Sequence, residues 1–384
     1  MRLTDRVVRD WFLDFLLEHD VELEYWDVVE ALHGTHAEVG EVAAPYLRRF
    51  GSLQEIDRAL ARSENAAVLF VMLLSYSHPF TPIYRLVSKH GRCMAYIDWG
   101  DIPSNRAPRW RKALQSYASP LWVLSTAYHQ QKLALLRRTG LVAPFLVKFA
   151  AGRTAMSRTG DAVRVIAINA IDYDLYLSTL AHPNRLVDGR YAVFLDINLP
   201  YQSDLALLGM QSVDAAPYFA SLNRFFGLLE ATFRVQVVIA AHPKAGYGSE
   251  TFEGRTTIRG QTAALVRDCE FVVSHTSTSF SYAVLNDKPV LFAYTDEMRR
   301  LYQNTVMRQL HSFAEYLDAS VCNVDMAKDA SHLRLKPVAA ERYAQYKYDF
   351  LTSRDSEGIA TRDIFLREVA AATSEPILIT ESSK

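Results

Sequence analysis

Two patterns alternate along the chain. Short unbroken apolar runs occur at residues 66–74 (AAVLFVMLL), 93–97, 121–124, 163–168, 191–195, 235–240, 271–273 and 290–293. Runs of this length and composition predict strands buried on both faces, as in parallel sheets. A shorter strand is expected at 21–26. Between the runs, apolar residues recur at helical spacing. Residues 7–18 place Val8, Trp11, Phe12, Phe15 and Leu16 on one stripe, and 218–232 do the same with Leu222, Phe225, Phe226 and Leu229. Further helices are expected at 82–90, 109–117, 262–268 and 280–285. Strands alternating with helices imply parallel sheets built from βαβ units. The alternation occurs twice, with a linker expected at 172–190, where Pro183, Asn184 and Gly189 cluster. The expected fold class is α/β, with two Rossmann-like, doubly wound domains facing a cleft. They span residues 1–180 and 181–355. A last segment, 356–384, carries a helix near 359–371 and a frayed tail.

Composition narrows the function classes. The chain has 384 residues, too many for one compact core of ordinary size. Hydrophobic residues make up 49% and charged residues 22%, values of a globular protein. The formal net charge of −1 lacks the overall basic footprint of a nucleic-acid binder. Cys93, Cys269 and Cys322 are widely spaced and odd in number, which suits a reducing compartment and no disulfide framework. The start of the chain is charged (Asp5, Arg6, Arg9, Asp10), unlike a secretory signal, and no run is long enough to cross a bilayer. A cytoplasmic location is expected, with a peripheral contact at the inner face of the membrane left open.

In open α/β sheets ligands bind beyond the carboxyl ends of strands, so chemistry is sought there. Ala241-His242-Pro243-Lys244 follows the run at 235–240. The imidazole can donate to a phosphate or ribose oxygen, Pro243 stiffens the turn that aims it, and Lys244 adds charge. A plain loop histidine is the competing reading. Ser274, Thr276, Ser277, Thr278 and Ser279 follow the run at 271–273 and precede a helix. Hydroxyls and free N–H groups at a helix start form an anion site; N-capping needs only one of them. Asp98, in Asp98-Trp99-Gly100-Asp101, ends the run at 93–97, and either acid is a candidate general base or a turn residue. Asp196, with Asn198 and Pro200, follows 191–195 and either touches a nucleotide or shapes a loop. Asp172-Tyr173-Asp174 formally matches a metal-binding pair of acids but lies in the expected linker, and no metal site is assigned. His182-Pro183 lacks a preceding strand. No phosphate-binding glycine motif of the ATPase or dinucleotide type and no nucleophile-elbow motif occurs.

These residues, in this order, resemble the GT-B glycosyltransferases of bacterial surface polysaccharide synthesis (capsule, lipopolysaccharide). The nearest likeness is to the CMP-sugar-dependent sialyltransferase and Kdo-transferase group. Ile97-Asp98-Trp99-Gly100 is similar to that group's acidic motif, with Trp99 in place of the second acid. His242-Pro243 matches its His-Pro motif, and Ser277-Thr278 its Ser/Thr pair, with Thr276 an equal register. The resemblance implies an acceptor-binding first domain, a nucleotide-sugar-binding second domain and a last helix returning toward the first. It also implies inverting, metal-independent transfer without a cofactor. Asp98 or Asp101 would be the base, His242 would bind the donor phosphate, and the hydroxyl pair would hold it. The partners would be a nucleotide-sugar donor and a glycan or lipid-linked glycan acceptor. UDP-hexose enzymes of this type often carry a glutamate just after the phosphate loop. Residues 280–286 here contain no acid, which favours a CMP-linked acidic sugar. A UDP-sugar transferase, a UDP-sugar 2-epimerase and an inactive binding module of a polysaccharide complex remain as alternatives. Tyr76, Phe80, Tyr84 and Trp110 are candidates to stack on sugar rings or to fill the core.

Overall fold

A computed structural model describes residues 2–34, 42–62, 68–100, 102–103, 120–158, 160–181, 183–202 and 210–374, with backbone alone for 120–127 and 372–374. The expected helix at 109–117, together with Asp101, Trp110, His182 and the chain after 374, lies outside the described residues. The chain divides into two compact units. One is drawn from Met1–Trp99, Ala107–Asn169 and Asp355–Lys384, the other from Gly100–Arg106 and Ala170–Arg354. Both are Rossmann-like α/β units with parallel sheets.

The first unit contains β1 (Tyr25–Asp27) and β2 (Leu47–Arg49), a parallel pair of their own. Its main sheet is β3 (Leu69–Met72), β4 (Cys93–Asp98), β5 (Phe145–Ala151) and β6 (Ala162–Ile168), side by side in chain order and all parallel. The helix Thr361–Ser374 packs against β3 and β6. Its Phe365 ring sits 4.9 Å from Phe149 and 6.3 Å from Phe12. The end of β6 is stitched to this returning segment: Asn169 Nδ2 donates to the Ile359 carbonyl at 2.7 Å, and the Asn169 N–H to Thr361 Oγ1 at 3.2 Å.

The second unit contains β7 (Tyr191–Leu195), β8 (Gln236–Ala241), β9 (Thr257–Arg259), β10 (Val272–Ser274), β11 (Val290–Tyr294) and β12 (Ser320–Asn323). Across the sheet they run β9-β8-β7-β10-β11-β12, every pair parallel. Counted within the unit this is the order 3-2-1-4-5-6, the doubly wound dinucleotide-binding arrangement. The strand order reverses between β7 and β10. Alternate residues of each strand feed opposite cores. Val193, Val238, Val272 and Phe292 join Phe280 and Phe313 on one face. Phe194, Ile239, Val273 and Leu291 join Leu222, Phe225, Phe226 and Leu229 of the helix Ala215–Phe233 on the other. Each such side chain contributes about 1.5–3 kcal/mol by leaving water. Asp214 starts that helix by accepting from the Ala216 N–H.

Several expectations are corrected. The helix expected at 7–18 is two, Asp5–Asp10 and Leu13–Glu18, broken where Phe12 takes φ 57° and packs on Trp99 and Phe365. The strand expected at 21–26 begins only at Tyr25. Residues 121–124, read as a strand, lie in the helix Pro120–Arg138; an apolar run of four does not distinguish the two states. Residues 163–168 belong to β6 and pair with β5, so they close the first sheet and do not open a second series. The expected linker begins with a helix, Ile171–Ala181, which buries Tyr173 in the second unit's core. Tyr84 is core, and Tyr76 and Phe80 pack against that same core.

Candidate functional site

The second unit gathers its candidate residues at the carboxyl ends of three neighbouring strands: Asp196 after β7, His242 after β8, and Ser274 to Ser279 at and after β10. These flank the point where strand order reverses, which is where open α/β sheets form a binding crevice.

Asp196 is 5% exposed and organises this edge. Its carboxylate accepts from the Asn198 N–H at 2.8 Å and from the His242 N–H at 3.0 Å, tying β7 to β8. The Tyr247 hydroxyl bridges both carboxylate oxygens, at 3.0 and 2.9 Å, and also reaches Asn198 Oδ1 at 2.9 Å. Asn198 stands in the left-handed region, φ 52°, a conformation asparagine tolerates well. Burial first, and then the Asp196 charge, push the Tyr247 phenol far above its ordinary pKa, so it stays a donor. Arg259 donates to the Ala245 carbonyl and pins the same loop to the end of β9.

His242 is half-buried, and this scaffold fixes its tautomer. The Lys244 N–H donates to its Nδ1 at 3.1 Å, so in the neutral ring Nε2 carries the proton. Nε2 meets no partner among the described residues. Pro243 and the Lys244 side chain are exposed on the turn.

At the end of β10, Ser274 is fully buried and its Oγ has no hydrogen-bond partner among the described residues. His275 is wholly buried and structural. Its Nδ1–H donates to the Ala293 carbonyl, and its Nε2 accepts from the Tyr218 hydroxyl at 3.0 Å. Burial holds its pKa below the ordinary histidine value. Thr276, Ser277, Thr278 and Ser279 then lead through a single 3₁₀ turn, Thr278–Phe280, into the helix Ser281–Leu285. None of these four side chains caps either turn or bonds to another described group. The capping explanation for the cluster therefore does not account for it. The helix ends before Asp287, which lies exposed in the left-handed region at φ 52°.

In the first unit Asp98 ends β4 as the centre of an ion-pair network. Arg158 Nη2 donates to both of its oxygens at 3.1 Å, and Lys148 Nζ, 4% exposed on β5, lies 3.5 Å away. Trp99 packs edge-on against Trp11 and Phe12, at 6.0 and 6.1 Å. Asp172 accepts from the Tyr282 hydroxyl at 3.2 Å. No group of three or more potential metal ligands occurs among the described residues, and no helix there is long and apolar enough to cross a membrane.

Sequence reasoning did not single out Tyr247. Its signal, a tyrosine between Gly246 and Gly248 just past the His-Pro turn, is weak until the fold brings it to Asp196.

No protein-family model matches the chain, and no curated protein matches it. Solved structures resemble it in shape. CalG4, a calicheamicin glycosyltransferase, has 13% identity and a TM-score of 0.47, with 84% of this chain and 77% of that one covered. The glycosyltransferase SnogD from Streptomyces nogalater has 13% identity and a TM-score of 0.40, covering 84% and 78%. The UDP-GlcNAc 2-epimerase from Methanocaldococcus jannaschii has 11% identity and a TM-score of 0.43, covering 86% and 87%. Likenesses of this size carry no conclusion about activity. The fold assignment rests on strand order.

Proposed function

We propose that the protein is a glycosyltransferase whose second unit binds a nucleotide-sugar donor at the ends of β7, β8 and β10. One observation carries this reading. His242 presents a fixed Nε2–H and Thr276 to Ser279 four hydroxyls, all without a partner among the described residues, flanking the same strand-order reversal of a 3-2-1-4-5-6 sheet. Such groups suit the oxygens of a phosphate that gains charge as it departs, and hydrogen bonds to a charged oxygen are the strong ones.

In the transfer, an acceptor hydroxyl attacks the anomeric carbon and the bond from that carbon to the nucleotide's phosphate oxygen breaks. The Nε2–H of His242 donates to the departing phosphate as charge builds on it, and the hydroxyls of Ser277 and Thr278, with Thr276 as the other register, hold its remaining oxygens. Lys244 adds a nearby positive charge. Asp196 positions His242 through its backbone and stays off the ligand. The acceptor's proton passes to solvent water as the new bond forms, because Asp98 already serves Arg158 and Lys148. The transfer proceeds with inversion and without a metal.

For the donor, a CMP-linked acidic sugar is favoured over a UDP-hexose. The segment Thr278–Leu285 carries no carboxylate to hold a ribose, and Asp287 faces solvent. The test is nucleotide-dependent thermal stabilisation with CMP-sialic acid, CMP-Kdo, UDP-hexoses and UDP-GlcNAc. Stabilisation by a CMP-sugar that falls about ten- to a hundredfold in affinity in His242→Ala, the loss of one charge-assisted bond, is the expected result. Stabilisation by UDP species alone overturns the donor, turnover of UDP-GlcNAc without acceptor overturns the transferase, and no response to any nucleotide overturns the whole reading.

A further inference from the structure

The first unit holds a groove that this function does not use. It runs between the helix Thr81–Lys89 and the end of the helix Pro120–Arg138, with a volume near 680 Å³. Leu53, Pro79, Leu86, Leu136 and Leu141 supply its apolar wall. That volume lies in the range of small-molecule sites, about 300–1,000 Å³. Among the described residues its charged lining is all basic, Arg85, Lys89 and Lys132, with no carboxylate. Lys89 is satisfied by Asp57 at 2.9 Å. Arg85 and Lys132 are exposed and pair with no carboxylate among the described residues.

The surface beside the groove has the same two-part character. Tyr128, Lys132 and Leu135 follow one another at i, i+4 and i+7, a single stripe of the helix. Tyr128 is 62% exposed, Leu135 59%, and Leu141 at the groove's edge 50%. Large apolar side chains held in water next to unpaired cations mark a binding surface. An aqueous partner of free phosphate type would use the cations and leave the apolar wall and stripe without a role. A zwitterionic or neutral apolar partner would leave Arg85 and Lys132 without one. A bilayer rich in anionic lipid uses both.

We propose that this face of the first unit docks on an anionic lipid bilayer. Arg85 and Lys132 meet headgroup phosphates, Tyr128, Leu135 and Leu141 enter the interfacial layer, and the groove receives part of one lipid. The site is independent of the nucleotide site, so either can fail alone.

The full chain is mixed with vesicles of phosphatidylcholine alone or with added phosphatidylglycerol, and bound protein is followed by flotation. Binding to the anionic vesicles only, weakened by salt, is expected. A basic side chain near an anionic surface is worth about 1 kcal/mol, so Arg85→Gln with Lys132→Gln lowers affinity about thirtyfold, or ~2 kcal/mol. Leu135→Ser with Leu141→Ser lowers it as well, although charge is unchanged. All four residues are exposed or at a groove edge, and unchanged thermal midpoints verify that each variant is folded. Glycerol phosphate, a headgroup without chains, does not displace the protein. Equal binding to both vesicle types, no binding to either, undiminished binding of the glutamine pair, or full displacement by glycerol phosphate overturns the proposal.

Discussion

If Asp196 aligns the nucleotide site from below, Asp196→Asn is the most informative single change. Its two oxygens serve three donors: the Asn198 N–H on Oδ1, the His242 N–H on Oδ2 and the Tyr247 hydroxyl between them. An amide of the same shape keeps one acceptor and turns the other into a donor. Tyr247 can adapt, because it can accept from the new NH₂ and donate to Asn198 Oδ1, already 2.9 Å away. A backbone N–H cannot adapt. Whichever way the amide is turned, Asn198 or His242 faces a donor and loses its bond. A buried donor left without its partner costs about 1–3 kcal/mol. The cost falls on the link between β7 and β8, so hydrogen exchange read by mass spectrometry on peptides covering 196–198 and 240–247 is the assay. Exchange there should speed up about ten- to a hundredfold, since 1.4 kcal/mol is a factor of ten. The helix Ala215–Phe233, held by the apolar face of β7 and β8 and not by their carboxyl ends, should keep its protection. Tyr247→Phe removes one adaptable donor and strands no backbone group, so its effect should be the smaller, about 1 kcal/mol. Wild-type exchange at both segments in Asp196→Asn, or a larger effect from Tyr247→Phe, would refute the reasoning that Asp196 is the positioning group.

Three further outcomes follow from the same geometry. Asp98→Asn removes the main counter-charge of buried Lys148, whose other carboxylate, Asp161, is 3.9 Å away, so the first unit should lose about 3 kcal/mol in urea unfolding; lost transfer activity at unchanged stability would instead make Asp98 the base. His275 is held neutral by burial, so the unfolded chain takes up a proton there as pH falls below about 6.5 while the folded one does not; stability of the second unit is complete above that pH and declines below it, and the decline should shrink in His275→Gln when melting is followed from pH 7.5 to 5. Phe12→Ala removes a ring that touches Trp99 and Phe365, and should lower the first unit's stability by about 2 kcal/mol, less than a fully buried phenylalanine because Phe12 is only half-buried.

What the sequence revealed and what it hid have the same physical origin. β7, β8, β10 and β11 are buried on both faces and so had to be written as unbroken apolar runs, which is why their ends, and with them His242 and the hydroxyl cluster, are legible in the sequence. β9 and β12 form the sheet's edges, with three and four residues and exposed positions among them, and leave no such run. β5 hid for another reason. Lys148 interrupts Phe145–Ala151, and a lysine can stand in a buried strand only because Asp98, Asp161 and the Arg158 carbonyl meet it from distant parts of the chain. Sheet membership is likewise not local: β6 reads like any other run, and only its pairing with β5 assigns it to the first unit. The candidate site divides along the same line. Groups that act outward from strand ends are legible, because their position relative to a run is written in order. Groups that act by holding others are not: Asp196 becomes a positioning residue only through His242 and Tyr247, 46 and 51 positions away. Asp98 shows the converse. Its place at a strand end made it a candidate base, and the same end is where Lys148 and Arg158 converge, a pairing that chain position does not foretell.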